Sequence, residues 1–277
     1  MNDRDDLAAA AACRPAPAPG GAWPPGDRPI VGYLHAHRGV PPRVGRSWDI
    51  ITAGDGVWLA TDNPALSLRV PVAPCRILGL APLGPACALR RGPVPQACWE
   101  EAVALFRWHA ARGHESLALV FLDPAGGYRL VAPRQSPTAS RVAYEVEEGL
   151  GLPLLHLHSH HAMRAYFSAT DDADERGLAL YGVVGRLDTG EPEVALRAGA
   201  FGHWLPLPWS RVFSGDRGAF RDLADSEGAA PADALAVLGA AHLRPPRPTA
   251  LADARHAERT LGSPWWHRLI GGRRSPG

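Results

Sequence analysis

The stretch Leu155-His156-Leu157-His158-Ser159-His160-His161, continued to Ser168 and Asp171, contains four of the twelve histidines of the chain. Leucine and histidine alternate through its first half, which predicts a β-strand. Side chains two residues apart on a strand point to the same face, so the imidazoles of His158 and His160 lie on one side. Seven residues separate His160 from Ser168, and Asp171 lies three further on.

This spacing indicates a zinc site. Two imidazole nitrogens and one carboxylate oxygen are ligands that suit Zn²⁺, at about 2.0–2.1 Å. Three protein ligands leave the fourth tetrahedral position to water, as in catalytic sites, whereas a structural site is closed by four. Ser168 and Asp171 also form a plain helix-capping pattern, with Ser at the N-cap and an acidic residue at N3. Capping and metal binding are compatible for Ser168.

The pattern resembles the JAMM motif of the MPN/JAB metalloproteases, which are zinc isopeptidases that remove ubiquitin-like proteins or trim their tails. The resemblance implies one zinc ion per chain, held by His158, His160 and Asp171, and a hydrogen-bonding role for Ser168. The family also has a glutamate at the start of the first core strand after a helix, and Glu115 occupies that place. It implies an α/β fold over residues 96–213, with a curved mixed sheet flanked by helices.

Two longer segments are similar to the prokaryotic branch of this family and to its PRTRC system protein A family. They are the sequence from His158 to Asp172 and Tyr181-Gly182-Val183-Val184-Gly185-Arg186. That family is encoded in plasmid-type cassettes beside a ThiF-like activating enzyme and a ParB-like protein. The resemblance implies a ubiquitin-like protein or its conjugate as the partner, with the ThiF-like enzyme as a second one.

By this resemblance, zinc acidifies a water molecule and polarises the scissile carbonyl. Glu115 takes the proton of the water and passes it to the leaving amine. Ser168 donates a hydrogen bond to the water or to the developing oxyanion. The alternative is a catalytically silent scaffold of the same fold, which binds a ubiquitin-like or plasmid-partition partner without cleaving it.

Several nearby residues compete for these roles. Glu145, Glu147 and Glu148 are rivals to Glu115 as the general base. His156 continues the face of His158 but is not part of the motif, so we expect it to be buried near the site. Three further residues are weaker candidates for a role at the site. We expect His161 to lie at the surface or in a groove, His203 to pack in a loop and Arg164 to lie in a solvated loop.

Composition excludes other chemistries. The 29 basic side chains are all arginine, so a Schiff-base lysine, a Walker-type phosphate loop and a Ser-Lys dyad are ruled out. The P-C-x-x-C of nucleobase deaminases, the helical H-E-x-x-H and the nucleophile elbow G-x-S-x-G are all absent. A formal net charge of +1 argues against direct nucleic-acid binding.

The chain divides by composition into four parts. Residues 1–28, rich in Ala and Pro, are predicted to be a disordered arm, and residues 29–95 a small β-rich region. Residues 96–213 form the predicted metalloprotease domain, and residues 214–277 a helical, partly flexible tail that contains Trp265 and Trp266. Four scattered cysteines and an acidic N-terminus without a signal-peptide pattern indicate a reducing cytoplasm, and no apolar run is long enough to span a membrane.

Periodicity predicts the main elements of the core. Trp99, Val103, Phe106 and Ala110 form one face of a helix that ends near Gly113. The predicted strands cover 117–122, 128–131, 142–146, 181–186 and 194–198. The other predicted helices cover 168–180, 232–242 and 251–261.

Overall fold

The first sheet is antiparallel except at one edge. The computed structural model describes residues 29–123, 125–137, 142–145 and 153–226. Its first five strands are β1 (Val31–His35), β2 (Trp48–Ala53), β3 (Gly56–Asp62), β4 (Leu66–Ala73) and β5 (Ala86–Leu89). They lie side by side in chain order, and only β1 and β2 are parallel. This sheet is the β-rich region predicted ahead of the helix.

The second sheet is mixed and contains the histidine-rich strand. The elements that follow are α1 (Gln96–Ala110), β6 (Leu117–Leu122), β7 (Tyr128–Val131), β8 (Arg134–Pro137), β9 (Val142–Glu145), β10 (Pro153–Ser159), α2 (Ala169–Asp174), β11 (Ala179–Gly185), β12 (Glu193–Ala200), β13 (His203–Leu207), α3 (Trp209–Val212), β14 (Arg221–Asp222) and α4 (Leu223–Ser226). The strand order is β13-β12-β11-β10-β6-β7, with β14 paired to β12, while β8 and β9 form a separate hairpin. Strand β10 is parallel to β11 and antiparallel to β6.

Both sheets and α1 share one hydrophobic core. Helix α1 buries Trp99, Val103 and Phe106, three of the four residues predicted for its inner face, while Ala110 is half-buried. They pack in a cluster that includes Leu68 of β4 and Leu157 of β10. The prediction of an α/β fold, with a mixed sheet flanked by helices, is confirmed.

Strand β10 separates this core from the predicted site. Leu155 and Leu157 are fully buried in the core. His156 and His158, at the alternate positions, therefore point to the opposite face of the sheet. On that face His158 lies between Leu117 of β6 and Val183 of β11.

The helix predicted over residues 168–180 is wrong in length. Helix α2 ends at Asp174, the chain leaves helical geometry at Glu175 (φ −80°, ψ 67°), and β11 begins at Ala179. None of the six residues of α2 is buried. Ala179 and Leu180, at the end of the predicted helix, belong instead to β11, in which every residue is buried.

Several predictions fall outside the described residues, namely the disordered arm at 1–28, the helices at 232–242 and 251–261, and Trp265 and Trp266 of the tail. The part of the tail that the structure describes, residues 214–226, holds only β14 and α4. Among the described residues, no helix is both long and apolar enough to cross a lipid bilayer.

An aromatic cluster attaches α1 to the segment after β13. The ring of Trp99 lies 5.3 Å from that of Phe213, 4.9 Å from that of Phe220 and 6.0 Å from that of Trp209. All four side chains are at most 5% exposed. Large aromatic side chains dominate the energy of such contacts, so this cluster fixes the helix against the second sheet.

We expect Trp99→Ala to lower the free energy of unfolding by about 3–5 kcal/mol, because it leaves a cavity in a closed core. The matched control is Trp108→Ala on the same helix. Because Trp108 is 55% exposed, this variant should lower the free energy of unfolding by less than about 1 kcal/mol. Denaturant unfolding monitored by circular dichroism measures both. Equal losses for the two variants would contradict this description of the core.

Candidate metal centre

Strand β10 and the residue after it position His158 and His160. His158 lies within β10, and His160 follows its last residue, Ser159, where the backbone still pairs with the neighbouring strands through Ser159 N to Ser116 O and His160 N to Val184 O. The two Nε2 atoms are 3.2 Å apart. The predicted alternation therefore brings both imidazoles to one point of the sheet face.

Asp171 reaches the same point from the first turn of α2. Its Oδ1 lies 3.5 Å from Nε2 of His158, while its Oδ2 accepts a hydrogen bond of 2.6 Å from the backbone N–H of Ser168. The Oγ of Ser168 in turn accepts from the backbone N–H of Asp171, at 3.2 Å. One carboxylate thus closes a capping box with one oxygen and faces the histidines with the other.

The geometry of the three residues fits a zinc ion. The ligand atoms of His158, His160 and Asp171 all lie within 4.8 Å of one another. Two ligands at about 2.0–2.1 Å from a tetrahedral ion are about 3.3 Å apart. The separations of 3.2 Å and 3.5 Å match that value, and two nitrogens with one carboxylate oxygen are a donor set that zinc accepts.

Burial keeps both imidazoles in the form that binds metals. It lowers the pKa of His158 to about 4, with Asp171 opposing this shift, and it also lowers the pKa of His160. The Nδ1 of His160 lies 3.3 Å from the carbonyl oxygen of Arg164. If Nδ1 donates its proton there, Nε2 carries a lone pair toward the site, which is the usual arrangement of a metal-binding histidine.

Glu115 lies at the same face of the sheet. His158 pairs with Leu117 and Ser159 bonds to Ser116, so the antiparallel register places Glu115 opposite His160. Its side chain is only 7% exposed. Burial, assisted by the negative charge of Asp171, raises the pKa of Glu115 to about 7. A carboxylate with such a pKa can both take up and release a proton near neutral pH.

The structure does not describe the side chains of the three glutamates that compete with Glu115. Glu147 and Glu148 are outside the described residues, and of Glu145 only the backbone, in β9, is described. His156 lies on the same strand face, 5.3 Å from the ring of Tyr181, and its burial lowers its pKa to about 4.

Arg164 and His161 lie in the loop after β10, whereas His203, which was expected in a loop, belongs to a strand. Arg164 is exposed and lies 3.7 Å from the carboxylate of Glu193, as a solvated loop residue with one ion pair. His161 has a positive φ of 36°, which ends the strand, and its side chain is half-buried. His203 is half-buried at the start of β13.

Sequence reasoning missed a buried arginine beside α2. Arg197 of β12 is 8% exposed and forms ion pairs with Asp172 and Glu175. Its guanidinium lies 3.7 Å from the ring centroid of Phe167 and 4.7 Å from that of Trp204. The available signal was an arginine at an interior position of an otherwise apolar strand, Val194 to Ala200.

Residues 94–198 match the family described as prokaryotic homologs of the JAB domain. The matched segment begins just before α1 and contains Glu115, both histidines, Ser168 and Asp171. No curated protein matches the chain. The match supports a JAB-type fold for this segment, in agreement with the mixed sheet. The two histidines and the aspartate within it form a group that could hold a metal ion.

We expect the metal-free chain to lose stability relative to Glu115→Gln as the pH rises from 5 to 8. The pKa of Glu115 rises from an ordinary value of 4.5 to about 7 on folding, so its contribution is complete below pH 4.5 and is lost as the pH rises through 7. Glutamine carries no charge at either pH. Melting temperatures of both proteins in EDTA, at pH 5 and pH 8, measure the effect.

The matched control is Glu191→Gln, because Glu191 is exposed in the turn before β12. Its melting temperature should follow that of the wild type at both pH values. A difference between wild type and Glu115→Gln that stays constant with pH would contradict the placement of Glu115 in a buried, negatively charged surrounding.

Proposed function

We propose that the chain is a zinc-dependent (iso)peptidase, which hydrolyses a bond to a ubiquitin-like protein or trims its tail. The observation that carries this proposal is the convergence of His158, His160 and Asp171 beside a buried glutamate, Glu115, on one face of the sheet. Two neutral imidazoles, one carboxylate and a nearby base of raised pKa make up the donor set and proton acceptor that metal-assisted hydrolysis requires.

Each residue of the site would have its own role in the hydrolysis. A bound zinc ion would supply Lewis acidity and an acidified water molecule. Glu115 would accept the proton of the attacking water and deliver it to the leaving amine, for which a pKa near 7 is suited. The Oγ of Ser168 already accepts a hydrogen bond from Asp171, so its own proton is free to be donated to the developing oxyanion.

The partners follow from the same proposal. The substrate is a ubiquitin-like protein or its conjugate, and a ThiF-like activating enzyme of a PRTRC-type plasmid cassette supplies that conjugate. A net charge of +1 gives no electrostatic reason for direct nucleic-acid contact, and we place the activity in the cytoplasm.

A catalytically silent scaffold of the same fold is the competing function. Such a scaffold needs neither a base nor a complete set of ligands. Here Glu115, Ser168 and all three ligand side chains are present together, and this completeness favours the enzyme.

We expect the purified chain to contain one zinc ion per molecule, and His158→Ala to contain less than about a tenth of that, because the variant removes one of only three protein ligands. Metal analysis by plasma mass spectrometry after gel filtration measures this. The control is His37→Ala, since His37 is exposed in the first sheet region. A wild-type chain without zinc after reconstitution would overturn the metal centre.

We expect Glu115→Gln to keep its zinc and to lose hydrolytic rate by a factor of about 10²–10⁴, which is the usual contribution of a positioned base. The substrates are a ubiquitin-like protein with a linear C-terminal extension and the same protein joined to a lysine ε-amine. The release of each product is followed by mass spectrometry. If the zinc-loaded wild type cleaves neither substrate yet binds the ubiquitin-like protein, the scaffold is the correct function.

A further inference from the structure

Helix α2 carries one of the three metal ligands but buries nothing of its own. It has six residues, Ala169–Asp174, and none of them is buried. A helix of this length is not stable by itself, and most helices in proteins are held by the packing of an apolar face. The capping box of Ser168 and Asp171 satisfies its first turn internally but does not attach it to the sheet.

The attachment comes from Arg197. Its Nη1 donates a hydrogen bond of 2.8 Å to Oδ1 of Asp172, and its Nε donates one of 2.7 Å to Oε2 of Glu175. Asp172 follows the ligand Asp171 directly, and Glu175 is the residue at which the helix ends. The backbone hydrogen bonds to the ends of neighbouring strands lie on either side of the helix, as with Arg186 N to Met163 O before it and Phe201 N to Arg176 O after it.

The same guanidinium also contacts the chain before the helix. It lies 3.7 Å from the ring centroid of Phe167, the residue that precedes the N-cap Ser168. Trp204 of β13, at 4.7 Å, flanks the guanidinium as well. Arg197 therefore contacts the residue before the helix, a residue within it and the residue that ends it. A planar guanidinium with fixed donors is suited to such a fixed arrangement, and a lysine is not.

We propose that Arg197 is the positioning residue of the metal centre. It fixes α2 against β12 and thereby places the carboxylate of Asp171 at ligand distance from the two histidines. The histidines need no such device, because the hydrogen bonds of β10 to β6 and β11 hold them. The inference rests on the proposed metal site, and it concerns how firmly that site is preorganised.

The test compares zinc affinity and helix protection in four proteins: wild type, Arg197→Met, Arg197→Lys and Arg43→Met. Arg43 is the matched control, because it also bridges two carboxylates, Asp49 and Asp62, but it does so beside the first sheet. Zinc dissociation constants are measured by competition with a chromophoric chelator. Hydrogen exchange of the α2 amides is measured in the metal-free proteins.

We expect Arg197→Met to raise the zinc dissociation constant about 10- to 100-fold, the usual effect of removing a residue that orients a ligand. Arg197→Lys should restore only part of the zinc affinity, because lysine keeps the positive charge but lacks the planar set of hydrogen-bond donors of the guanidinium. The amides of Asp171, Asp172 and Glu175 should exchange faster in Arg197→Met. Arg43→Met should lower the melting temperature but leave the dissociation constant within about twofold of wild type.

A folded Arg197→Met protein with wild-type zinc affinity and unchanged exchange in α2 would overturn the inference. If that variant does not fold, Asp172→Asn decides in its place. Asp172 is 45% exposed, and its replacement weakens one contact of Arg197 while the buried guanidinium keeps its ion pair with Glu175. That variant must then show a raised dissociation constant. A wild-type chain that binds no zinc is a different result, visible without any substitution, and it overturns the metal centre itself.

Discussion

The two-residue alternation of β10 is the constraint on which the rest of the molecule depends. One set of its side chains, with Leu155 and Leu157, closes the core shared with α1 and the first sheet. The other set, with His156 and His158, faces the opposite side. A shift of one residue in the pairing of β10 would bury imidazoles in the core and expose leucines at the site, so the same register serves stability and chemistry.

Much of this arrangement could be predicted because its signals are local. The leucine–histidine alternation predicts the strand, the H-x-H spacing predicts one face, and the order of helix, glutamate and strand places Glu115 at the sheet. These features depend on neighbours in sequence. The length of α2 could not be predicted in the same way, because Ala179 and Leu180 continue the apolar pattern after α2. Only the pairing of β11 with its neighbours reveals them as strand residues.

Arg197 could not be assigned from the sequence for a related reason. Its partners are 22 and 25 residues away along the chain, and nothing at Glu175 or Asp172 distinguishes them from solvated acidic residues. Only the folded structure distinguishes Glu175, whose burial raises its pKa to about 8 against the influence of Arg197, while Asp172 is exposed and is distinguished by its contact with Arg197 alone. The proposed ligands could therefore be found from the spacing of residues along the chain, whereas the proposed role of Arg197 depends on contacts between distant parts of the chain.

The divided carboxylate of Asp171 has a consequence for how such a site can be lost. An asparagine at this position still offers a side-chain oxygen to the N–H of Ser168, so the first turn of α2 would keep its cap. The negative charge that draws a cation would be gone. A single amide would therefore weaken the proposed metal centre while it leaves the backbone of α2 and of the sheet as it is. At this residue the proposed metal centre could be lost by one substitution in a chain that still folds.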